Sequence, residues 1–184
     1  MSEPQPTDTR PYSPGLEGVI AGETSLCFID GEAGILTYRG YPIDQLVDHE
    51  TFAAVAELLW TGEWNPAAHL PTQPVPDAVL TALRALPASA KPMDALRTAV
   101  SVWGATQDLT WPPAAEQARA LTAFSPSALA TFARLRRGLD PVDPDPSLDL
   151  VADFLYQLNR EQADAETARA LDAYFIVGAE HGFN

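Results

Sequence analysis

Ser25-Leu-Cys-Phe-Ile-Asp-Gly-Glu-Ala-Gly-Ile-Leu-Thr-Tyr-Arg39 is the one stretch that departs from the helical character of this chain. Two short apolar runs flank Gly31-Glu32-Ala33-Gly34. Asp30-Gly31 followed by Gly34 is hairpin chemistry, because glycine supplies positive φ without steric cost. The segment predicts an amino-terminal β-hairpin, and everything after it carries helical period. Thr51 is read as the cap of a helix with Phe52, Val55, Ala56 and Leu59 on one face and a stop near Gly62. Pro76 opens a short helix with Val79, Leu80, Leu83 and Leu86. Pro92 suits the first turn of another, whose stripe Met93, Leu96, Val100 and Trp103 reads as core.

Ser125-Pro126 reads as a cap and first-turn proline before Leu129, Phe132 and Leu135, with a stop at Gly138. Asp140-Pro-Val-Asp-Pro-Asp-Pro146 reads as a stiff, solvated acidic connector; its three aspartates leave metal binding as the alternative. Ser147 is expected to cap a helix carrying Leu148, Val151, Leu155 and Leu158. A last helix begins around Asp164 with acids in its first turn, as the helix dipole favours. Its Leu171–Val177 part is apolar nearly all round and is expected to be buried on every side. No internal repeat occurs and no boundary separates two cores. The expected fold class is mainly α with one short hairpin.

At 184 residues the chain is long enough for one domain and short for two. Twenty-five acids against eleven bases leave a formal charge of −14, which argues against a nucleic-acid or polybasic membrane partner. The single cysteine, Cys27, has no intramolecular partner for a disulfide. Set in Leu-Cys-Phe-Ile, it reads as a buried, inert thiol rather than a nucleophile. The opening MSEPQPTDTRPYSP is unlike a signal peptide, and no apolar run approaches the ~18 residues of a membrane span. A cytoplasmic, soluble protein is the expectation. Proline is abundant, 17 of 184 residues, and bunches between the periodic stretches as connectors and helix starts.

The general catalytic templates are missing: no G-x-S-x-G, no phosphate-cradling glycine loop, no C-x-x-C and no H-E-x-x-H. His49, between Asp48 and Glu50, and His69, in a proline-rich loop, read as solvated. His181 stands apart in Ala179-Glu-His-Gly-Phe-Asn184, beyond the carboxyl end of an apolar helix where the dipole favours an imidazolium. A helix cap and a ligand contact are both open for it on physical grounds alone. The chain stops three residues later with no polar tail, which reads as a truncation.

Several blocks share a family likeness. Gly15-Leu-Glu-Gly-Val-Ile-Ala-Gly-Glu-Thr24, the hairpin, and Leu36-Thr-Tyr-Arg-Gly-Tyr-Pro-Ile-Asp44 resemble the amino-terminal segment of citrate synthases. Pro92-Met-Asp-Ala-Leu-Arg-Thr-Ala-Val-Ser101, Asp153-Phe-Leu-Tyr-Gln-Leu-Asn159 and Ala170-Leu-Asp-Ala-Tyr174 follow in family order. The ending resembles the start of the family's H-x-x-H-x-x-N-A-S block. The resemblance runs from Pro14 to Asn184 and implies a partial citrate-synthase-like large helical domain. Residues 1–13 would be a disordered arm and 14–184 the first part of that domain, with the carboxyl-terminal half and the small domain absent.

The resemblance also implies the chemistry: acetyl-CoA, oxaloacetate and water give citrate and CoA in the tricarboxylic acid cycle. In the family a carboxylate deprotonates the acetyl methyl group, one histidine stabilises the enol oxygen and another polarises the oxaloacetate carbonyl. The motifs carrying the first two roles, and the arginines that hold the substrate carboxylates, lie later in family members. No catalytic residue is therefore assigned in this chain, which alone is expected to be inactive. His181 matches the histidine that contacts oxaloacetate, whereas the position three residues earlier, often histidine, is Gly178. The resemblance implies no metal, no cofactor beyond the substrate acetyl-CoA, and a homodimeric parent enzyme. Two rival readings stay open: a 2-methylcitrate synthase, which takes propionyl-CoA, and a non-catalytic helical module that pairs with a partner chain.

Overall fold

The computed structural model describes residues 22–180 and 182. The arm expected over residues 1–13 lies outside them. Strands β1 (Cys27–Asp30) and β2 (Ile35–Tyr38) pair antiparallel, with Cys27 opposite Tyr38 and Asp30 opposite Ile35. Asp30 closes the loop by accepting from the Glu32 and Ala33 N–H groups at 3.0 and 2.9 Å, and Gly34 sits at φ 68°. The hairpin therefore forms for the reason its residues suggest.

A third strand extends the expected hairpin to a sheet. β3 (Tyr41–Pro42) pairs with β2 across Arg39 and Gly40, both at positive φ (49° and 89°) as a type I′ turn requires. Arginine is an unusual occupant of that conformation, which is unfavourable for a residue with a side chain. Three anchors hold it: its N–H donates to the Leu26 carbonyl, and its guanidinium donates to Ser25 Oγ and to the Leu59 carbonyl, at 2.8–2.9 Å. The short helix α1 (Ile43–His49) follows, and His49 is its exposed last residue.

α2 (Phe52–Thr61) is bounded as its residues suggest. Thr51 Oγ1 accepts the Ala54 N–H at 3.2 Å, and Gly62 turns left-handed at φ 79°. α3 (Asp77–Ala85) and α4 (Pro92–Ala105) pack against the long α5 (Ala115–Arg136) around Val79, Leu83, Trp103, Phe124 and Phe132. Trp103 stacks on Phe124 at 5.4 Å. The seam of α4 is rotated from the expected stripe: small Ala95 and Ala99 face the core with Trp103, while Met93 is 63% exposed. Alanine lets α3 and α5 approach closely, and that approach, not side-chain size, selects the buried face.

Pro126 lies inside α5, so Ser125 does not cap a new helix. Ser125 and Thr122 instead return their hydroxyls to the carbonyls of Leu121 and Ala118. An interior proline costs ~3 kcal/mol through a lost bond and a ring clash. Here it is offset by a helix half buried along Ala123–Arg134, including Phe124, Ala128, Ala130 and Phe132. The helix starts ten residues before Ser125, where Gln117 Oε1 accepts the Ala114 N–H at 2.8 Å.

α6 (Leu150–Asn159) is preceded by Asp149, not capped by Ser147; Ser147 instead donates its N–H and hydroxyl to Asp145. Those two bonds hold the Asp145 carboxyl below its ordinary range. α6 buries Asp153 and Gln157 beside Leu150 and Val151. The Asp153 carboxylate accepts from the Thr72 hydroxyl, from Gln157 Nε2 at 3.0 Å and from the Asp145 N–H at 2.9 Å. Gln157 also donates to Thr72 Oγ1 at 2.7 Å. The proline-rich connector is thus fastened to α6 rather than a free spacer, and among the described residues no group of His, Cys, Asp and Glu is arranged to hold a metal ion. His69 is fastened too, with Nδ1 2.8 Å from Asp149 Oδ1 and Nε2 3.2 Å from the Pro146 carbonyl. Among the described residues no helix is long and apolar enough to cross a membrane.

α7 (Ala165–Val177) begins at Asp164, whose side chain accepts the Thr167 N–H at 2.8 Å. Contrary to expectation, its apolar end is buried on one side only. Ile176 is fully buried with Tyr38, Leu46, Val55 and Leu58, whereas Tyr174 is 73% and Val177 51% exposed. The reason is that sheet, α1 and α2 cover a single face.

Removing the Asp153 carboxylate takes the acceptor away from the Thr72 hydroxyl and the Asp145 N–H, and one of its two acceptors from Gln157 Nε2. Asp153→Ala is expected to lower stability by about 3 kcal/mol, read as a shift of the urea midpoint with unchanged slope. A midpoint within ~0.5 kcal/mol of the parent, the scatter of a surface substitution, would show that the network is dispensable.

Candidate functional site

The cross-strand pair Cys27–Tyr38 faces the carboxyl end of α7. Directly opposed residues of an antiparallel pair point to the same side of the sheet, so both side chains reach the segment that follows Val177. Tyr38 is fully buried. Its hydroxyl donates to the Val177 carbonyl at 2.8 Å and accepts the Glu180 N–H at 3.2 Å. A helix leaves its last carbonyls without intrahelical partners, and Tyr38 supplies one of them. The chain then turns tightly, with Gly178 N–H on the Tyr174 carbonyl and Ala179 N–H on the Ile176 carbonyl at 3.1 and 3.2 Å.

Glu180 folds back over this turn. Its Oε1 accepts the Gly182 N–H at 2.6 Å and the Cys27 thiol at 3.5 Å. Cys27 is half-buried, not fully buried. Burial first, then the hydrogen bond to Glu180 and its negative charge, push the thiol above its ordinary value. Burial likewise raises Tyr38. Both groups are neutral near pH 7, as donors to a carbonyl and a carboxylate must be.

A groove of about 470 Å³ opens beside this turn, lined by Phe52, Tyr174, Phe175, Val177, Gly178 and Ala179. Of the lining residues, Phe52 is held through its N–H by Asp172 at 3.0 Å, and Asp172 pairs with Arg169 at 3.2 Å. Burial raises the Asp172 carboxyl despite these two partners. Phe52 meets Phe175 edge-on at 5.6 Å.

His181, the expected oxaloacetate contact, lies outside the described residues. Its neighbours on both sides, Glu180 and Gly182, are inside them and are held as above. Sequence reasoning missed Tyr38, Cys27 and Glu180 as a group, because 142 positions separate Tyr38 from Glu180. Only the alternation that turns Cys27, Leu36 and Tyr38 to one face hinted that the hairpin covers something.

A raised thiol is a slow nucleophile, because the thiolate is the reactive form. Cys27 is therefore expected to react with Ellman's reagent at pH 8 several-fold more slowly than free cysteine. A rate equal to or above that of free cysteine would contradict the thiol–carboxylate contact.

Comparison with known proteins fits this architecture. The family described as "Citrate synthase, C-terminal domain" matches residues 15–184. A citrate synthase of Haloferax volcanii is 39% identical over 92% of the chain and 49% of its own length. A 2-methylcitrate synthase of Mycobacterium tuberculosis is 35% identical over 96% of the chain and 48% of its own length. Among solved structures, citrate synthase from Pyrobaculum aerophilum superposes with a TM-score of 0.79 at 29% identity, covering 98% of this chain and 52% of that one. The chain spans about half the length of the curated relatives it matches. It belongs to the citrate synthase family.

Proposed function

We infer that this chain is the large-domain half of an enzyme that condenses acetyl-CoA with oxaloacetate and water, giving citrate and CoA for the tricarboxylic acid cycle. The observation that carries the reading is the family match across residues 15–184, which includes the Glu180-His181 segment. The enzyme is read as a cytoplasmic homodimer without a metal or prosthetic group, with acetyl-CoA as substrate.

His181 is assigned the oxaloacetate contact. Oxaloacetate carries two carboxylates and a ketone, so its site has to be made of donors. An imidazole N–H aimed at the ketone oxygen or a carboxylate stabilises the negative charge that grows there on carbon–carbon bond formation. The acid–base groups that remove the methyl proton and protonate the enol belong to the part of the family's length that this chain does not span. A small domain closing over the groove would exclude water during condensation and admit it for thioester hydrolysis.

A second reading is favoured by one finding, the 35% identity to a 2-methylcitrate synthase. It keeps the chemistry and exchanges acetyl-CoA for propionyl-CoA, an added methylene that a pocket discriminates by ~10- to 200-fold.

The test is a chimera in which residues 15–184 replace the matching half of the Haloferax volcanii citrate synthase. It should release CoA from acetyl-CoA only with oxaloacetate present, and the 184-residue chain alone should release none. A hydrogen bond to a charged group is worth ~1.5–3 kcal/mol, so His181→Ala should raise the oxaloacetate KM roughly 10- to 150-fold with the acetyl-CoA KM unchanged. Preference for propionyl-CoA would favour the second reading. A folded chimera without turnover would favour the non-catalytic module, and turnover near ~1 s⁻¹ by the chain alone, within the usual enzyme range, would contradict the division of labour between the halves.

A further inference from the structure

We propose that the cavity between the carboxyl ends of α3 and α5 binds a small amphiphilic anion, an aliphatic chain that ends in a carboxylate. The inference goes beyond the condensation reaction and does not rest on it. Every residue it uses lies in α3, in the turn that follows α3, or in α5, so the 184-residue chain carries the whole cavity.

The last turns of the two helices meet at a space of about 300 Å³, the lower end of what small-molecule sites occupy. Its apolar lining comes from Leu83 and Phe132, members of the core cluster, and from Leu86 and Leu135, half-buried against that cluster. Its charge comes from Arg84 and Arg136. Arg136 is held in place: its guanidinium donates to the Ala90 carbonyl and lies over the Phe132 ring, 5.5 Å from the centroid. That carbonyl engages only part of a fork that carries five N–H donors. Arg84 is exposed, and among the described residues neither arginine enters an ion pair.

The surrounding sequence keeps negative charge away. In a chain of net charge −14, no acid occurs between Asp77 and Asp94 or between Glu116 and Asp140. The first of these stretches carries Arg84 and Lys91, the second Arg119, Arg134, Arg136 and Arg137. The helix dipole accounts for one cation in each last turn. It does not account for two guanidiniums lining one leucine-walled space with no carboxylate to answer them. A carboxylate fits the planar donor fork of arginine, and an alkyl chain fits the leucines. An inorganic anion would use only the arginines and a neutral alcohol only the apolar wall.

The experiment titrates the 184-residue chain, labelled with nitrogen-15, with octanoate, octanol and acetate at low salt while backbone amide shifts are followed by NMR. Octanoate should give saturable shifts centred on the last turn of α3, the turn after it and the last turn of α5. Octanol and acetate should each bind about tenfold more weakly or less. Arg84→Gln and Arg136→Gln should each weaken octanoate about fivefold or more. Arg97→Gln is the control, since that guanidinium pairs with Asp94 and does not line the cavity, and it should leave octanoate binding unchanged. Arg136→Gln also removes the contact to Ala90, so a fall in its urea midpoint leaves the decision to Arg84→Gln, whose exposed site should keep the parent midpoint. No saturable shift by roughly 10 mM octanoate, or shifts centred on Phe52 and Tyr174 instead, overturns the site. Octanoate binding unmoved by Arg84→Gln overturns the role of the arginine. Acetate binding as tightly as octanoate overturns the amphiphile and leaves only a basic patch.

Discussion

The carboxyl end of α7 must be finished by something other than α7, and the Tyr38 hydroxyl finishes it. Helix ends carry carbonyls that the helix itself does not satisfy, and the Val177 carbonyl of this one is met by a hydroxyl that rises out of the apolar cluster. The amino-terminal sheet exists, in structural terms, to bring Tyr38 to that place. Its two turns, Asp30–Ile35 and Arg39–Gly40, set the register that puts Cys27 opposite Tyr38. Shifting the pairing by one residue would turn both side chains to solvent. Arg39 holds the strained second turn by reaching to the end of α2, so sheet, α2 and α7 depend on one another.

The rest of the chain is tied to this unit through α6. One apolar cluster joins α3, α4 and α5, another joins the sheet, α1, α2 and α7. Between them the long irregular stretches near Thr72 and Asp145 have little apolar surface to bury. They are held by hydrogen bonds to Asp153 and Asp149 instead. A fully partnered buried carboxylate adds little net stability, yet a half-partnered one is costly. Here it fastens both loops to α6 at one point, through the Thr72 hydroxyl and the Asp145 N–H. Arg134 does the same at the other end of α6, donating to the Asp140 and Leu158 carbonyls.

Legibility followed the range of the interaction. Thr51, Gly62, Asp164 and the Asp30–Gly34 loop act on their own neighbours, and their structure follows from residue type. Pro126 misled because its local penalty is outweighed by packing that only the fold creates, and the α4 seam was misplaced because closeness of approach, not size, decides what is buried. Asp153 and Gln157 look like any surface pair four residues apart on a helix. The end of α7 was expected to be buried all round from composition alone, yet a helix is covered only where partners stand. The family likeness, resting on blocks in order rather than on periodicity, identified the scaffold and pointed to His181. It said nothing of Tyr38 and Glu180, which meet only in three dimensions.

Native-state hydrogen exchange in rising urea addresses the central claim, that sheet and α7 end form one cooperative unit joined at Tyr38. Amides of β2 and of the last turn of α7 should converge on a common opening free energy, because neither element keeps its partners when the other leaves. Amides of α4 and α5 need not share it. Early exchange of β2 while the last turn of α7 stays protected would contradict the account, since the hairpin would then be an ornament rather than the support of the segment that carries His181.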